Sequence, residues 1–208
     1  MFRQRLRLWF RVDGDKRFLS HHDMMRLWER ALRRARLPLR MSEGFNPRPR
    51  MSLPEPRSVG VSSAAEILEF ELADWVNPDA VLAGLRRQVP EGVRIDSLDL
   101  MRPSDKARPE SVVYVACLAQ ACADLSDRVA SLLARPEAPV VRHRPTGDKA
   151  LDARRFIETL DAGPGEVRMV LKTGPGGTVR PDEVLRLLGF TAEAIARSDI
   201  RRTEIRLA

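Results

Sequence analysis

The residues best suited to chemistry lie in two neighbouring stretches near the start of the chain. Residues 18–26 contain two of the three histidines, His21 and His22. Residues 44–52 form a loop rich in glycine and proline that presents an aromatic ring, an amide and two guanidinium groups: Phe45, Asn46, Arg48 and Arg50. Guanidinium and amide groups contact phosphates, and aromatic rings stack on unpaired bases. The loop therefore predicts a binding site for an anion or a nucleic acid, the alternative being a stiff connector with solvated arginines.

The first stretch predicts the start of a helix. Ser20 is a favourable N-cap, and the apolar residues after it recur with a helical period, so we predict a helix over residues 21–36. On the helical wheel His21 falls on the apolar side, whereas His22 falls on the polar side with Arg26. A helix N-terminus favours a phosphate, which makes His21 and Arg26 candidate anion-binding residues. The alternative for His21 is a structural, partly buried histidine.

A second glycine-bearing loop precedes another predicted helix, over residues 180–188. Gly174, Gly176 and Gly177 with Arg180 resemble a nest of backbone N–H groups that could hold an anion at the helix N-terminus. The loop lacks the Lys-Ser/Thr ending of a P-loop, so nucleotide hydrolysis is not predicted. A plain tight turn is the alternative.

The positive charge is concentrated at the start of the chain. The net charge is +7, yet residues 1–60 contain 15 Lys and Arg against 6 Asp and Glu, so that segment alone carries +9. The remainder is slightly acidic. A bias towards arginine codons would raise the arginine content everywhere and would not produce this asymmetry. The pattern therefore indicates a face that binds a polyanion.

Composition limits the remaining possibilities. A chain of 208 residues with 43% hydrophobic residues predicts a packed core. No apolar run approaches the roughly 18 residues needed to span a bilayer, and a signal peptide is not recognisable, so we expect a cytoplasmic protein that uses no membrane. Cys117 and Cys122 are too few for a structural zinc site, and consecutive helical residues cannot point at one ion, so no metal site is predicted. No nucleophile elbow or paired-carboxylate motif appears either.

The order of predicted elements is β-α-β-β-α-β, twice. The fold class is therefore α+β, and we predict two tandem ferredoxin-like halves: a basic N-terminal domain over residues 1–103 and a C-terminal domain over residues 110–208. Residues 102–109 are polar and read as a linker. A single larger α+β domain is the alternative. The predicted strands of the first half are 4–12, 50–53, 65–72 and 93–101, with a short strand at 39–42; those of the second are 111–118, 140–142, 154–160, 166–172 and 200–207.

Five motifs together resemble one known family. They are Phe18-Leu19-Ser20-His21-x-Asp23-x-Met25-Arg26, Gly44-Phe45-Asn46-Pro47, Met51-Ser52, Gly174-Pro175-Gly176-Gly177-x-Val179-Arg180-Pro181 and Arg201-Arg202-Thr203-Glu204. They resemble the DUF2344 family, also called radical SAM-linked or radical SAM-associated proteins. The resemblance implies a radical SAM enzyme as partner but no particular reaction, and it adds Arg201 and Arg202 to the candidate binding residues.

Two positions depart from the family pattern. A leucine is usual where this chain has His22, which moves the interest to His21. A histidine is usual at Arg48, so an acid–base pairing of position 48 with His21 is in doubt. The chain also lacks the C-x3-C-x2-C motif that holds the iron–sulfur cluster of radical SAM enzymes, so that cluster would belong to a separate enzyme.

These observations favour a non-catalytic accessory module. It would bind RNA, such as tRNA or rRNA, or present a substrate to a radical SAM enzyme in RNA modification, with no cofactor of its own. One alternative is a protein-binding adaptor that docks on the enzyme through its acidic C-terminal half. Another is a metal-independent ribonuclease resembling CRISPR repeat-processing endonucleases, with His21 as general acid or base and Arg48 or Arg50 stabilising the phosphorane.

Overall fold

The computed structural model describes residues 4–102, 104–120, 122–143, 147–174 and 177–208. The chain is an α+β protein in which strands predominate over short helices. It divides into two compact units, the first extending to Arg108 and including Ala208, the second comprising Pro109–Leu207. Within each unit four strands pair with one another, and helices of the same unit pack on them.

The first unit contains a four-stranded antiparallel sheet and two α-helices. The sheet order is β4-β1-β3-β2. In chain order the elements are β1 (Gln4–Val12), a 3-10 helix (Gly14–Phe18), α1 (His21–Arg34), β2 (Met51–Ser52), β3 (Ser62–Leu72), α2 (Pro78–Arg86) and β4 (Val93–Met101).

The core of this unit lies between one face of the sheet and the two helices. Alternate residues of β1, from Leu6 to Val12, are buried, as the period of two predicts. They pack with buried residues of α1 and α2 in one cluster. Trp28 of α1 is fully buried, and its ring meets that of Phe10 edge-on, with 4.7 Å between centroids. This packing fixes the position of α1 and hence of the polar side chains on its outer face.

The second unit contains a four-stranded antiparallel sheet of order β10-β5-β9-β8 and a separate hairpin of β6 and β7. Its apolar core draws on buried residues of α3, α4 and the sheet, among them Leu132, Val184, Met169 and Leu171. The elements are β5 (Pro109–Cys117), α3 (Leu125–Ala134), β6 (Pro139–Arg142), β7 (Lys149–Asp152), a 3-10 helix (Ala153–Phe156), β8 (Ile157–Gly163), β9 (Glu166–Lys172), α4 (Pro181–Leu187), α5 (Ala192–Arg197) and β10 (Asp199–Leu207).

Several elements differ from those that the sequence predicts. The predicted strand at 39–42 consists of two isolated bridges, from Leu39 to Leu72 and from Met41 to Pro49. Residues 153–156 form a 3-10 helix and not the start of a strand, because the Asp152 carboxylate accepts the Arg154 N–H and turns the chain. β7 and α5 were not predicted. The predicted linker, residues 102–109, belongs to the first unit as far as Arg108, and β5 begins at Pro109.

None of the helices in the described part of the chain combines the length and the apolar character that crossing a bilayer requires.

The core makes a prediction about two tryptophans. We expect Trp28→Ala to lower the free energy of unfolding by about 3–5 kcal/mol, because it leaves a cavity beside Phe10. Trp75→Ala is the matched control: this ring is 57% exposed, and its loss should cost less than about 1 kcal/mol. Urea unfolding at equilibrium measures both values, and equal losses would contradict the packing described.

Candidate nucleic-acid interface

The outer face of α1 and the loop before β2 enclose a cleft of about 550 Å³. Pro47 and Pro49 belong to its wall. The other lining side chains are His22, Met25, Arg26 and Glu29 from α1, Asn46 and Arg48 from the loop, and Met51 from β2. The structure thus brings together the two stretches that the sequence singled out.

Backbone hydrogen bonds hold the loop in place. The Ser42 N–H donates to the Arg48 carbonyl at 2.7 Å, and the Arg48 N–H donates to the Ser42 hydroxyl at 3.0 Å, which closes the loop on itself. Gly44 has a φ of 132°, a conformation that favours glycine. The loop is then joined to the sheet where Met51 pairs with Phe70 of β3. Because it is anchored at both ends, the loop presents its tip in a defined orientation.

Positive groups dominate the cleft. Arg26 is largely exposed and lies 3.8 Å from Asp23, a separation at which a surface ion pair contributes little. Glu29 also lines the cleft, but it accepts hydrogen bonds from Arg33 one turn along the helix. Arg48 is exposed. Phe45, at the tip of the loop, is fully exposed.

His22 lies on the polar side of α1 with Arg26, as the helical wheel predicts, whereas His21 is not buried on the apolar side. His22 lines the cleft, whereas His21 does not, and both are exposed. Their ring centroids are 5.7 Å apart. Partial desolvation, with the neighbouring His22 charge, lowers the pKa of His21, so its ring is neutral over more of the physiological pH range.

The first turn of α1 is capped by its own residues. The Ser20 hydroxyl accepts the Asp23 N–H at 3.2 Å and donates to the Asp23 carboxylate at 2.7 Å. The hydrogen bond from Ser20, and to a smaller extent the charge of Arg26, lowers the pKa of Asp23. The carboxylate therefore stays ionised at the positive end of the helix, where it competes with any external anion.

Arg50 does not line this cleft. It lines a separate pocket of the first unit, beside the face of the sheet that carries charged side chains. On that face Arg5 and Arg7 of β1 lie opposite Glu71 and Glu69 of β3. The Glu69 carboxylate accepts hydrogen bonds from Arg5 at 2.7 Å and from Arg7 at 2.8 and 3.0 Å.

The backbone also contributes to this ionic network. The Ala107 N–H donates to Glu69 at 2.8 Å, and Arg40 donates to Glu71 at 2.7 Å. Burial alone would raise the pKa of Glu69, but the hydrogen bonds from the two arginines of β1 and from Ala107 hold it below its ordinary value of 4.5. Glu69 is therefore a buried, ionised carboxylate.

The candidate residues around the second glycine loop belong to the second unit. Gly174 and Gly177 form a bridge, and Gly177 has a φ of 109°; Gly176 lies outside the described residues. The N-terminus of α4 is filled by the chain's own carboxylate, since Glu183 accepts the Arg180 N–H at 2.7 Å and pairs with Arg142. The Arg180 side chain is exposed.

The two arginines of β10 differ in exposure. Arg201 is exposed, whereas Arg202 is fully buried, with its guanidinium 3.3 Å from the Tyr114 hydroxyl and over the Tyr114 ring. A buried guanidinium cannot reach a phosphate, so we leave Arg202 out of the candidate interface. Its burial follows from the alternation of the strand, which the sequence motif alone does not reveal.

Sequence reasoning missed Lys106 and the ionic network. Lys106 lines the same pocket as Arg50, although the sequence predicts that residues 102–109 form only a polar linker. The sequence does contain a signal for this network. Arg5 and Arg7 are two residues apart in one predicted strand, and Glu69 and Glu71 are two apart in another, so each pair lies on one face of its strand and the two pairs can face each other across the sheet. No three His, Cys, Asp or Glu side chains within the described ranges converge as metal ligands would.

The fold is that of an α+β protein, and its first unit has a cleft lined by the arginines Arg26 and Arg48. The chain belongs to the family described as "Uncharacterized protein conserved in bacteria (DUF2344)", whose model matches residues 5–181. The match ends before the 201–204 motif. No curated protein matches the chain. Among solved structures, an unknown protein from Galdieria sulphuraria aligns over all of this chain and 99% of its own length, at 13% identity and a TM-score of 0.29.

The ionised state of Glu69 makes stability depend on pH. Because its folded-state pKa is lowered, Glu69 stabilises the fold above its unfolded-state pKa, and this contribution is lost as the pH falls through the folded value. We expect Glu69→Gln to cost about 3 kcal/mol at pH 7, since it leaves two buried guanidiniums poorly paired. The difference from wild type should shrink below a pH of about 4.

Denaturant unfolding at several pH values measures this difference. Glu91→Gln, at an exposed position of the same unit, is the control and should change the free energy of unfolding by less than about 0.5 kcal/mol at every pH. A Glu69→Gln cost that stayed constant from pH 7 to pH 3 would show that the carboxylate charge is not what stabilises the fold.

Proposed function

We propose that this protein is an RNA-binding accessory module without catalytic activity of its own. One observation carries the proposal: a single cleft combines guanidinium groups from a helix and from a loop, Arg26 and Arg48, with the Asn46 amide and the Met51 side chain. Guanidiniums bind phosphates, and the amide can read a base edge. The surface is mostly preformed, which reduces the ordering cost of binding.

Single-stranded or looped RNA fits this surface better than a duplex. Phe45 lies next to Asn46 and is fully exposed at the tip of the loop. An exposed ring of this kind can stack on an unpaired base, a contact that paired bases in a duplex do not offer. The loop arginine then reaches the backbone beside the stacked base.

We propose that each unit has the ferredoxin-like topology. The strand orders β4-β1-β3-β2 and β10-β5-β9-β8 support this, because each runs in the sequence 4-1-3-2 when the four strands of its sheet are numbered along the chain. In the first unit both helices share one core with a single face of the sheet. The β6–β7 hairpin is then an insertion in the second unit.

The proposed partner is a separate radical SAM enzyme that modifies the bound RNA in the cytoplasm. The resemblance of the motifs to radical SAM-linked proteins supports this pairing. The two cysteines of this chain, one exposed and one half-buried, do not provide the three ligands that a radical SAM cluster takes. Binding would then be the contribution of this chain, and chemistry that of the partner.

RNA binding should be measurable by fluorescence anisotropy with a labelled single-stranded RNA and a labelled tRNA. We expect Arg26→Gln and Arg48→Gln each to weaken binding about fivefold to tenfold at low salt and to reduce the salt slope by about 1. Phe45→Ala should weaken binding to the single strand about tenfold. Arg87→Gln is the charge-matched control, because Arg87 is exposed and lines neither pocket.

Two outcomes would replace the proposal. If no RNA binds at low salt, but a radical SAM enzyme co-purifies after nuclease treatment, the protein is an adaptor. If the wild type cuts RNA without metal, and His22→Ala or His21→Ala binds without cutting, it is a ribonuclease. His22 is included because it, and not His21, lines the cleft.

A further inference from the structure

A second pocket of the first unit, of about 580 Å³, lies beside the cleft. Met51 lines both, so the two share a wall. Its polar lining consists of Arg50, Lys106, Ser42, Ser52, Glu69 and Glu71, together with Arg5. This mixture of charges does not by itself indicate which kind of ligand the pocket would take. The ligand depends on which lining side chains already have hydrogen-bond or ion-pair partners within the protein.

The two carboxylates are already neutralised. Glu69 accepts hydrogen bonds from Arg5, Arg7 and the Ala107 N–H, and Glu71 from Arg40. A carboxylate whose oxygens are occupied by guanidiniums neither attracts a cation strongly nor repels an anion strongly. The ionic network therefore forms a rigid, nearly neutral wall of the pocket.

The cationic side chains of the pocket, in contrast, have N–H groups that are not used in hydrogen bonds within the described residues. Arg50 pairs only loosely, at 3.8 Å, with the exposed Glu43, and its Nε is buried with no acceptor in the described chain. Lys106 makes no ion pair within the described residues. The Ser42 hydroxyl accepts the Arg48 N–H, so its own hydrogen is free to donate. A guanidinium, an ammonium and a hydroxyl with unused donors form a set that binds an anion with several acceptor oxygens.

We propose that this pocket is a phosphate-binding subsite, with Arg50 and Lys106 as its cationic ligands. The proposal rests on the proposed function only for the source of the phosphate. Arg48 in the cleft and Arg50 in the pocket are two residues apart, so their Cα atoms lie within about 7 Å. One RNA strand can therefore reach both, with a base at the cleft and a phosphate, such as a terminal one, in the pocket.

Isothermal titration of the full chain at fixed ionic strength tests the subsite directly. The probes are inorganic phosphate, adenosine 5′-monophosphate and uncharged adenosine. We expect the two phosphate-bearing probes to bind and adenosine not to bind. Arg50→Gln and Lys106→Gln should each weaken binding of the monophosphate about tenfold, since each removes a charge-assisted contact, while Arg87→Gln should change it less than about twofold. Circular dichroism checks that each variant is folded.

A second experiment identifies the molecule that supplies the phosphate. Two labelled RNAs of one sequence, with a 5′-phosphate or a 5′-hydroxyl, are compared by anisotropy with wild type and Arg50→Gln. A preference for the phosphorylated strand that Arg50→Gln abolishes identifies an RNA end as the ligand. Tight binding of inorganic phosphate without such a preference identifies a free phosphate group, and the subsite stands in both cases.

The subsite and the proposed function fail in different ways. If no phosphate-bearing probe binds, or if Arg50→Gln and Lys106→Gln leave binding of the monophosphate unchanged, the subsite is overturned, even where Arg26 and Arg48 still govern RNA affinity. If the monophosphate binds through Arg50 but RNA does not bind at all, the proposed function fails and the subsite remains.

Discussion

The carboxylate of Glu69 is the interaction on which the charged side of the first unit depends. It accepts hydrogen bonds from Arg5 and Arg7 of β1 and from the backbone of Ala107, so it joins two strands and the segment that follows β4. Burying a carboxylate is unfavourable unless its oxygens are paired. Here three donors satisfy its oxygens. Removing one of the arginines would leave the buried carboxylate incompletely paired, which lowers the stability of the fold. The carboxylate therefore holds the segment after β4 at Ala107.

This pairing changes what the charge of the chain means. The sequence assigns +9 to residues 1–60, but much of that charge is compensated by acidic residues further on: Arg5, Arg7 and Arg40 pair with Glu69 and Glu71, and Arg11 pairs with Asp96. The two arginines that line the cleft, Arg26 and Arg48, take no part in these pairs with the sheet. A count along the chain cannot distinguish an arginine that neutralises a distant glutamate from one that is available to a ligand, because strand register decides which residues face each other. The positive charge that is available to a ligand is therefore smaller than the net charge suggests.

Local patterns predicted the elements well where one physical signal dominated. The bounds of β1 and β4 follow from alternation, and the start of α1 follows from Ser20 as N-cap. Prediction failed where a tertiary contact decides the local conformation. Residues 39–42 lack a strand of their own because their bridges go to separate partners, and residues 104–107 are held by one hydrogen bond to Glu69 that no local pattern encodes. Lys106 was missed for the same reason.

His21 illustrates a limit of the helical wheel. The wheel gives the direction of a side chain around the helix axis, but side chains also lean towards the helix N-terminus. In the first turn this tilt carries a residue past the edge of the core, so His21 is exposed although its angle points to the apolar side. His22 instead reaches the cleft, beside Arg26. Cleavage of a phosphodiester needs an acid and a base on either side of the phosphate. In the cleft the carboxylate of Glu29 accepts hydrogen bonds from Arg33, and this pairing is one reason why binding is proposed here in place of cleavage.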